Sequence, residues 1–268
     1  MMSQKLNIIV VGASGKMGQT LIQEISNDSG LELTAALDQE NCPLMNHDAG
    51  ERLGLKTNVK ISSDLNADLK ADIMIDFTRP EASLGYLDLC KKNKIKYVLG
   101  TTGFSDQEKQ VIKSAANEIA ICFAPNMSVG VNLLISLVEK TSQVLGHDFD
   151  IEIIEAHHRH KVDSPSGTAL RLGEAAAKST NRSLDQHGVF ERHGNDIARK
   201  SSDIGFSVIR GGDIVGDHTV LFAADGERIE LTHKASSRST FAKGALRAAK
   251  FLAGHETGLF DMRDVLKI

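Results

Sequence analysis

The 268-residue sequence predicts an α/β protein with a doubly wound parallel sheet in its N-terminal half and a smaller α+β domain with a mixed or antiparallel sheet. The first observation behind this prediction is a set of short aliphatic runs, such as Leu6–Val11, that alternate with helical segments. Continuous apolar runs are typical of strands buried on both faces, and their alternation with helices indicates a parallel sheet. The second observation is a change of pattern near residue 127, after which a long helix and alternating strands follow.

The predicted elements of the first half follow one another as strand and helix. Strands are expected at Leu6–Val11, Leu31–Leu37, residues 59–61, residues 72–77, Lys96–Leu99 and residues 119–124. Helices are expected after a glycine-rich turn at residues 12–18, from about residue 78, and over residues 105–118. Pro80 suits the first turn of the second helix, where a missing N–H costs nothing. Ser105 and Glu108 have the spacing of a capping box at the start of the third.

The second half combines three helices with an alternating type of strand. Helices are expected over residues 128–145, 165–179 and 239–253, and strands over residues 149–156, 206–210, 218–224 and 228–233. Pro165 is expected in the first turn of its helix. The last two strands have the spacing of an antiparallel hairpin. We therefore predict a first domain of residues 1–127 and a second of residues 128–238, with residues 239–268 returning to the first.

The composition argues against several classes of protein. A formal net charge of −4 disfavours a general partner of nucleic acids or anionic membranes. No apolar run approaches the ~20 residues of a membrane span, and the first residues do not have the pattern of a signal peptide. Cys42, Cys90 and Cys122 lie far apart, which favours reduced thiols over disulfides or a zinc site. We expect a soluble, cytoplasmic protein that binds neither nucleic acid nor membrane.

A glycine-rich turn directly follows the first predicted strand and opens the first predicted helix. Its residues are Gly12, Ala13, Ser14, Gly15, Lys16, Met17 and Gly18. Glycines here allow a tight turn and close approach to a pyrophosphate, to which the helix N-terminus offers free N–H groups. An acid at the end of the second strand, here Asp38, usually binds the adenosine ribose. This context predicts a dinucleotide site of Rossmann type, and the alternative is an ordinary strand–helix turn.

Two further loops lie where a doubly wound sheet binds its ligands, at the carboxyl ends of strands. One contains Gly100, Thr101 and Thr102, and the other contains Ala124, Pro125, Asn126 and Met127. Each loop by itself is equally well explained by its content of turn residues.

Residues 157–168 concentrate histidine and positive charge in a chain that is net acidic. The basic residues are His157, His158, Arg159, His160 and Lys161, and Ser166, Gly167 and Thr168 follow at a predicted helix start. Hydroxyls and free N–H groups at that position would hold a small ligand that carries carboxylates. Histidine titrates near neutral pH, so one of these rings can also donate a proton. We favour an anion site with an acid catalyst.

Two other interpretations of this segment stay open. His157, His158 and His160 could bind a metal ion, but neighbours on an extended strand point to opposite faces, so at most two of them would converge. Arg159 and Lys161, interleaved among them, would repel a cation. The segment could also be a solvated charged loop. We expect no metal.

The segment EAHHRHKVDSPSGTA, which starts at residue 155, resembles the signature of the 4-hydroxy-tetrahydrodipicolinate (dihydrodipicolinate) reductase family. Further blocks similar to that family occur in its order along nearly the whole chain: GASGKMG, DFTRPE, GTTGF, APNMSVGVN, RGGDIVGDHTV and THKASSR. Long blocks with unusual histidine content are specific for a single family. The chain is identified as a member of this family.

The resemblance implies an enzyme that uses NADH or NADPH to reduce a cyclic imine with two carboxylates, 4-hydroxy-tetrahydrodipicolinate by way of dihydrodipicolinate, in diaminopimelate and lysine biosynthesis. His157 matches the proton donor of the family, and Lys161 matches its second catalytic group. The positions implied to bind substrate are His158, Gly167, Thr168, Thr102 and Arg238. The positions implied to bind the cofactor are residues 12–17, Asp38, residues 100–102 and residues 124–127. A homotetramer joined through the sheet of the second domain is also implied.

One departure from the family concerns the choice of cofactor. Some members follow the acid of the second strand with arginine, which can hold a 2′-phosphate, whereas this chain has Gln39. Lys16, in the phosphate turn, could compensate. We therefore do not expect strict use of NADPH.

Two alternative functions would use the same dinucleotide-binding first domain. A dinucleotide-sensing regulator would need no proton donor beside an anion pocket. The second alternative is another Rossmann dehydrogenase acting on a small anionic substrate. A dehydrogenase acting on an alcohol or aldehyde would use a lone acid–base residue or a reactive cysteine rather than a cationic cluster. Cys122 lies inside an aliphatic strand, and we expect it to be part of the core.

Overall fold

A computed structural model describes residues 5–64, 70–195 and 198–268. The strands, in chain order, are β1 (Leu6–Val11), β2 (Leu31–Leu37), β3 (Ile61–Ser62), β4 (Ile73–Asp76), β5 (Lys96–Leu99), β6 (Ala120–Phe123), β7 (Asp150–His157), β8 (Gly188–Val189), β9 (Ile204–Arg210), β10 (Gly216–Ala224), β11 (Glu227–Ala235) and β12 (Gly258–Phe260). The helices are α1 (Lys16–Ser26), α2 (Pro80–Asn93), α3 (Asp106–Ala115), α4 (Val129–Leu145), α5 (Gly167–Ser179), α6 (Leu184–His187), α7 (Ser239–Leu252) and α8 (Met262–Leu266). The chain forms two compact units, residues up to Val129 with Arg238–Ile268, and Gly130–Ser237.

The first unit contains a seven-stranded sheet in the order β12-β6-β5-β4-β1-β2-β3. Every neighbouring pair of strands is parallel. The chain winds outward from β1 to β3 and then from β4 to β6 in the opposite direction. The carboxyl ends of β1 and β4 therefore form the topological switch point, where open α/β sheets bind ligands. The doubly wound sheet predicted from the sequence is confirmed.

Helices cover both faces of this sheet, which explains why its strands are aliphatic throughout. Ile8 packs with α1 and α7, while its neighbour Ile9 packs with α2 and α3. The C-terminal helix α7 is thus part of the first unit. Its Lys250 lies 2.5 Å from the carboxylate of Asp28, which follows α1.

The second unit is built on a five-stranded sheet in the order β11-β10-β7-β9-β8. β7, β9 and β8 pair in parallel, whereas β10 pairs antiparallel with both β7 and β11. The sheet is therefore mixed, as predicted. Its core packs side chains of α4 and α5 against β7, β9 and β10, including Leu134, Leu172, Ile153, Phe206 and Val220.

Several element ends differ from the sequence prediction. The weak strand expected at residues 59–61 is Ile61–Ser62, because only these two residues pair with β2. The helix expected to begin at Pro165 begins at Gly167. Its N-cap is Ser166, whose Oγ accepts the N–H of Ala169 over 3.2 Å, so the proline precedes the helix.

The cysteines lie apart inside the fold. Cys42, Cys90 and Cys122 are all buried with free thiols. Burial raises the pKa of Cys122 to about 12, so its reactive thiolate does not form near neutral pH. In the described part of the chain, each helix is too short or too polar to cross a membrane.

Candidate active site

The glycine-rich turn of the first unit joins β1 to α1 at the topological switch point. Gly12 has a φ of +66°, and a Cβ on Gly18 would lie 2.2 Å from the carbonyl oxygen of Gly12. Neither position accepts a side chain, because the backbone is left-handed at one and packed tightly at the other. α1 begins at Lys16 with Gly15 as its N-cap, so no side chain caps its first N–H groups. Such a helix N-terminus is suited to bind phosphate oxygens.

Asp38 follows β2 and contacts this turn directly. Its Oδ2 accepts the backbone N–H of Ser14 over 2.8 Å, and its Oδ1 accepts the N–H of Gln39 over 2.8 Å. Asp38 is half-buried, while Gln39 and Lys16 are exposed. The acid is therefore held beside the phosphate turn, where a Rossmann fold binds the adenosine ribose. Together with the glycine-rich turn, it fits a dinucleotide.

A buried hydrogen-bond network holds the loop that follows β5. Asp76, at the end of β4, is 0% exposed, and its Oδ1 accepts the N–H of Thr78 over 2.7 Å and the hydroxyl of Thr101 over 3.2 Å. Its Oδ2 accepts the hydroxyl of Tyr97. The side chain of Thr101 is engaged here, so this residue can offer a ligand only its backbone. Thr102 is exposed.

The loop after β6 lies at the same edge of the sheet. The backbone N–H of Ala124 donates to the end of β5 over 3.1 Å, and Oδ1 of Asn126 accepts the N–H of Ser128 over 2.8 Å. β4, β5 and β6 are neighbours, so residues 100–102 and 124–127 follow the carboxyl ends of adjacent strands. The predicted cofactor residues therefore lie along one edge of the first unit's sheet.

In the second unit, the core-facing residues of β7 are apolar in the first half of the strand and ionisable at its end. Ile153 belongs to the core, and Glu155 and His157 follow at the strand period of two, 1% and 8% exposed. The strand register places His218 of β10 opposite Glu155 and Arg210 of β9 opposite His157. Three strands thus bring an ionisable cluster together at one end of the sheet.

The carboxylate of Glu155 connects His157 to the start of α5. Its Oε1 accepts the backbone N–H of Ser166 over 2.9 Å and Nη2 of Arg210 over 3.0 Å. Its Oε2 makes an ion-pair contact with Nδ1 of His157. Burial opposes ionisation of Glu155, but the donors around it outweigh burial and lower its pKa. The group is therefore a carboxylate at neutral pH.

The proton affinity of His157 is set by opposing influences. Burial lowers the pKa of His157 most, and the carboxylate of Glu155 raises it in part. Lys161 and Arg210 lower it further, and the net pKa lies below the ordinary value. The ring of His218 packs edge-on at a centroid distance of 5.1 Å, and burial lowers the pKa of His218 to about 4. His218 is therefore neutral at physiological pH.

Lys161 and the start of α5 surround a carboxylate of the chain itself. Nζ of Lys161 donates to Oδ1 of Asp163 over 2.7 Å. This hydrogen bond is the largest cause of a lowered pKa of Asp163, to which the backbone N–H of Gly167 also contributes. Gly167 is exposed and Thr168 is half-buried in the first turn of the helix. Groups predicted to bind a substrate carboxylate thus already contact one.

The histidines proposed for a metal site do not share one site. Among the described residues, the potential ligand atoms that lie within 4.8 Å of one another belong to Glu155, His157 and His218. The rings of His158 and His160 have centroids 6.3 Å apart. Oε1 of Glu155 already accepts two hydrogen bonds, one of them from a guanidinium that would repel a cation. The cluster suits protons and anions better than a metal ion.

Sequence reasoning does not identify Glu155, Arg210 or His218 as site residues. The sequence does contain an indication for Glu155, because this residue places a carboxylate on the core-facing side of an alternating strand, where charged residues are rare. The other two become neighbours only through strand register. Ser166 is expected from the sequence to offer its hydroxyl to a ligand, but it is 2% exposed and caps α5 instead.

Two residues with predicted substrate contacts belong to the first unit. Thr102 follows β5, and Arg238 is the exposed N-cap residue of α7. Their contact with substrate stays a prediction.

Comparisons with known proteins agree with the sequence resemblance. Two family models, described as Dihydrodipicolinate reductase, N-terminus and C-terminus, match residues 6–127 and 130–266. The 4-hydroxy-tetrahydrodipicolinate reductases of Nitrosomonas europaea and Burkholderia multivorans are 54% and 53% identical, over 97% of this chain and 98% and 99% of theirs. A dipicolinate-bound dihydrodipicolinate reductase from Paenisporosarcina sp. TG-14 is similar in fold, with a TM-score of 0.75 at 24% identity, over 96% of this chain and 98% of that one. The chain therefore belongs to the dihydrodipicolinate reductase family.

Proposed function

We propose that the chain reduces 4-hydroxy-tetrahydrodipicolinate, by way of dihydrodipicolinate, to tetrahydrodipicolinate, as a step of diaminopimelate and lysine biosynthesis. Relatives more than half identical carry the name of this reductase over nearly the full length of both chains. The observation that supports the chemistry most directly is the buried His157 beside Lys161 and Arg210. A general acid next to positive charges suits the reduction of a cyclic imine that carries two carboxylates, because the acid supplies the proton and the positive charges bind the carboxylates.

The first unit would bind the dinucleotide, which is NADH or NADPH. Its pyrophosphate is proposed to contact residues 12–17 and its adenosine ribose Asp38. The remaining part of the dinucleotide is proposed to contact residues 100–102 and 124–127 at the same edge of the sheet. When bound, the nicotinamide supplies a hydride.

The second unit would bind the substrate and supply the proton. His157 donates a proton to the enamine that hydride addition leaves, and Lys161, as the second catalytic group, makes this donation easier because nearby cations lower each other's proton affinity. His158, Gly167 and Thr168 would bind the carboxylates, with N–H groups of the α5 N-terminus directed at them. Thr102 and Arg238 of the first unit are proposed as further substrate contacts.

We also propose a homotetramer joined through the sheet of the second unit. Ile209 of β9 is a large apolar side chain that is 52% exposed, as expected for a surface that another subunit covers. Sedimentation equilibrium of the protein tests this, and a monomeric mass would contradict it.

The activity is tested by following NADH oxidation after addition of the condensation product of pyruvate and aspartate semialdehyde. His157→Gln should lower turnover by ~100-fold or more, the usual scale for loss of a general acid. His160→Gln is the matched control, because it removes an exposed ring from the same segment. Cofactor affinity should hardly change in either variant. Near-normal turnover of His157→Gln would contradict the role of this residue, and NADH binding without oxidation by the wild type would favour a dinucleotide-sensing regulator.

A further inference from the structure

We propose that Glu155 is a positioning residue that holds the imidazole of His157 in one tautomer and ties it to the start of α5. The inference depends on the proposed function in one respect, since it takes His157 as the proton donor. Glu155 itself lies too deep to act on the substrate, because only 1% of its surface is exposed.

The contact between the carboxylate and the ring determines which nitrogen carries the proton. Oε2 of Glu155 faces Nδ1 of His157. An ionised carboxylate can only accept hydrogen bonds, so Nδ1 must be the protonated nitrogen when the ring is neutral. Nε2 is then bare in the neutral ring and becomes an N–H donor when the ring takes up a proton. The proton that His157 can give away therefore resides on Nε2.

Nε2 of His157 lies beside Gly216 of β10. A Cβ built on this glycine would lie 3.0 Å from Nε2. A side chain at this position would cover the nitrogen. The tautomer selected by Glu155 thus presents the transferable proton beside Gly216, which carries no side chain.

Glu155 also supplies a negative charge that favours a protonated His157. Other ionisable residues that influence the ring are Lys161 in the following loop, Arg210 on β9 and His218 on β10. Lys161 and Arg210 disfavour a protonated ring, and His218 is neutral at physiological pH. Without the carboxylate, His157 would lose its proton at a lower pH.

The same carboxylate fixes the acid relative to the proposed anion site. Oε1 accepts the N–H of Ser166, the N-cap of α5, and Gly167 and Thr168 form the next turn. A glutamine can retain this half of the arrangement, since its carbonyl oxygen accepts the same N–H. Its amide nitrogen, however, is a donor and cannot accept from Nδ1. Glu155→Gln therefore separates the two roles of the residue.

The test compares the pH dependence of kcat for wild type, Glu155→Gln and Glu152→Gln. Glu152 is the matched control, because it lies on the same strand and also pairs with arginines, Arg192 and Arg199. We expect Glu155→Gln to lower kcat by ~100-fold or more, the scale of impaired general-acid catalysis, with the substrate KM nearly unchanged. The decline of kcat at high pH, where the acid loses its proton, should start about one pH unit or more lower. Glu152→Gln should keep the wild-type profile.

A second measurement does not depend on a variant at Glu155 or on turnover. Magic-angle-spinning NMR of wild type with labelled histidine reports the protonation of each ring nitrogen, and the signal absent from His157→Gln identifies His157. We expect a neutral form with a proton on Nδ1 and none on Nε2. A proton on Nε2 instead, or an active Glu155→Gln enzyme with the wild-type pH profile, would overturn the inference. Absence of reductase activity in the wild type would refute the proposed function alone, and the NMR result would still decide the role of Glu155.

Discussion

Oδ2 of Asp38 accepts the backbone N–H of Ser14 over 2.8 Å, which holds a negative charge beside the phosphate turn. Gln39 follows as an exposed neutral residue and adds no positive charge. The 2′-phosphate of NADPH would bring like charge toward Asp38, whereas the free ribose hydroxyls of NADH would donate hydrogen bonds to it. The local electrostatics therefore favour NADH.

We predict that kcat/KM for NADH is at least equal to that for NADPH when both are measured at the same ionic strength. Gln39→Arg should raise kcat/KM for NADPH by ~10-fold or more, the scale of one charge-assisted hydrogen bond. Gln110→Arg is the control, since it adds the same charge on the exposed surface of α3. A strong preference of the wild type for NADPH would show that Lys16 outweighs Asp38.

A second prediction concerns Lys161, whose ammonium should attract the carboxylates of the substrate. Dipicolinate, a planar pyridine dicarboxylate, should inhibit less well as salt rises, because part of the attraction is screened. Lys161→Ala should raise its inhibition constant by ~10-fold and lower turnover. Lys178→Ala, at the opposite end of α5, should leave both unchanged.

Because dipicolinate also chelates metals, this experiment needs a metal control. The protein is dialysed against an unrelated chelator, analysed for metal and assayed again. Full activity of the metal-free protein is expected from the anion interpretation. Loss of activity that one equivalent of a divalent ion restores would reassign the histidine cluster to metal binding.

The third prediction follows from the 2.7 Å hydrogen bond between Nζ of Lys161 and Oδ1 of Asp163. Through this contact the ammonium of Lys161 is already paired with a carboxylate of the chain itself. A substrate carboxylate must compete with Asp163 for Lys161 and for the N-terminus of α5. Asp163→Asn should therefore lower the inhibition constant of dipicolinate by ~3-fold to ~10-fold, since one competing ion pair is lost. Asp185→Asn removes an equal charge from the exposed surface of α6 and should have no such effect. Weaker inhibition of Asp163→Asn would mean that Asp163 orients Lys161 instead of competing with the ligand.

The sequence predicts the first unit well because the patterns that indicate its strands and its phosphate turn each lie within a few consecutive residues. The bounds of β1, β2 and β5 in the structure equal the predicted ones, since a continuous aliphatic run between polar residues admits few alternatives. Gly12, Gly18 and Asp38 are likewise recognised from their positions at the ends of these strands.

The second unit's cluster is predicted only in part, because half of it is assembled by strand register. His157 and Lys161 stand close together in the sequence, but Arg210 and His218 come from β9 and β10. A shift of one residue in either pairing would turn these side chains to the other face of the sheet, and the sequence does not specify the register. Pro165 is misplaced for a related reason, since the hydroxyl of Ser166 competes successfully for the N-cap.

The last prediction tests whether His157 reacts through Nε2. A Cβ at Gly216 would lie 3.0 Å from Nε2 and 3.4 Å from Cδ2 of His157, so Gly216→Ala must push the ring away or cover the nitrogen. The ring is held by Glu155 at its other nitrogen, so it cannot yield without losing that contact. Turnover should fall by ~10-fold or more, because a small misplacement of a catalytic group is costly.

Gly211→Ala is the matched control for this substitution, because Gly211 follows β9 next to the same cluster. A Cβ there would meet no described atom within 4 Å, and the backbone N–H that donates to the carbonyl oxygen of His157 over 2.9 Å is retained. Both variants should unfold at nearly the same temperature, so that a difference in kcat reports the position of the ring and not general damage. Equal kcat values for Gly216→Ala and Gly211→Ala would show that the space beside Nε2 is not used in the reaction, and the proton would then have to leave His157 by another route.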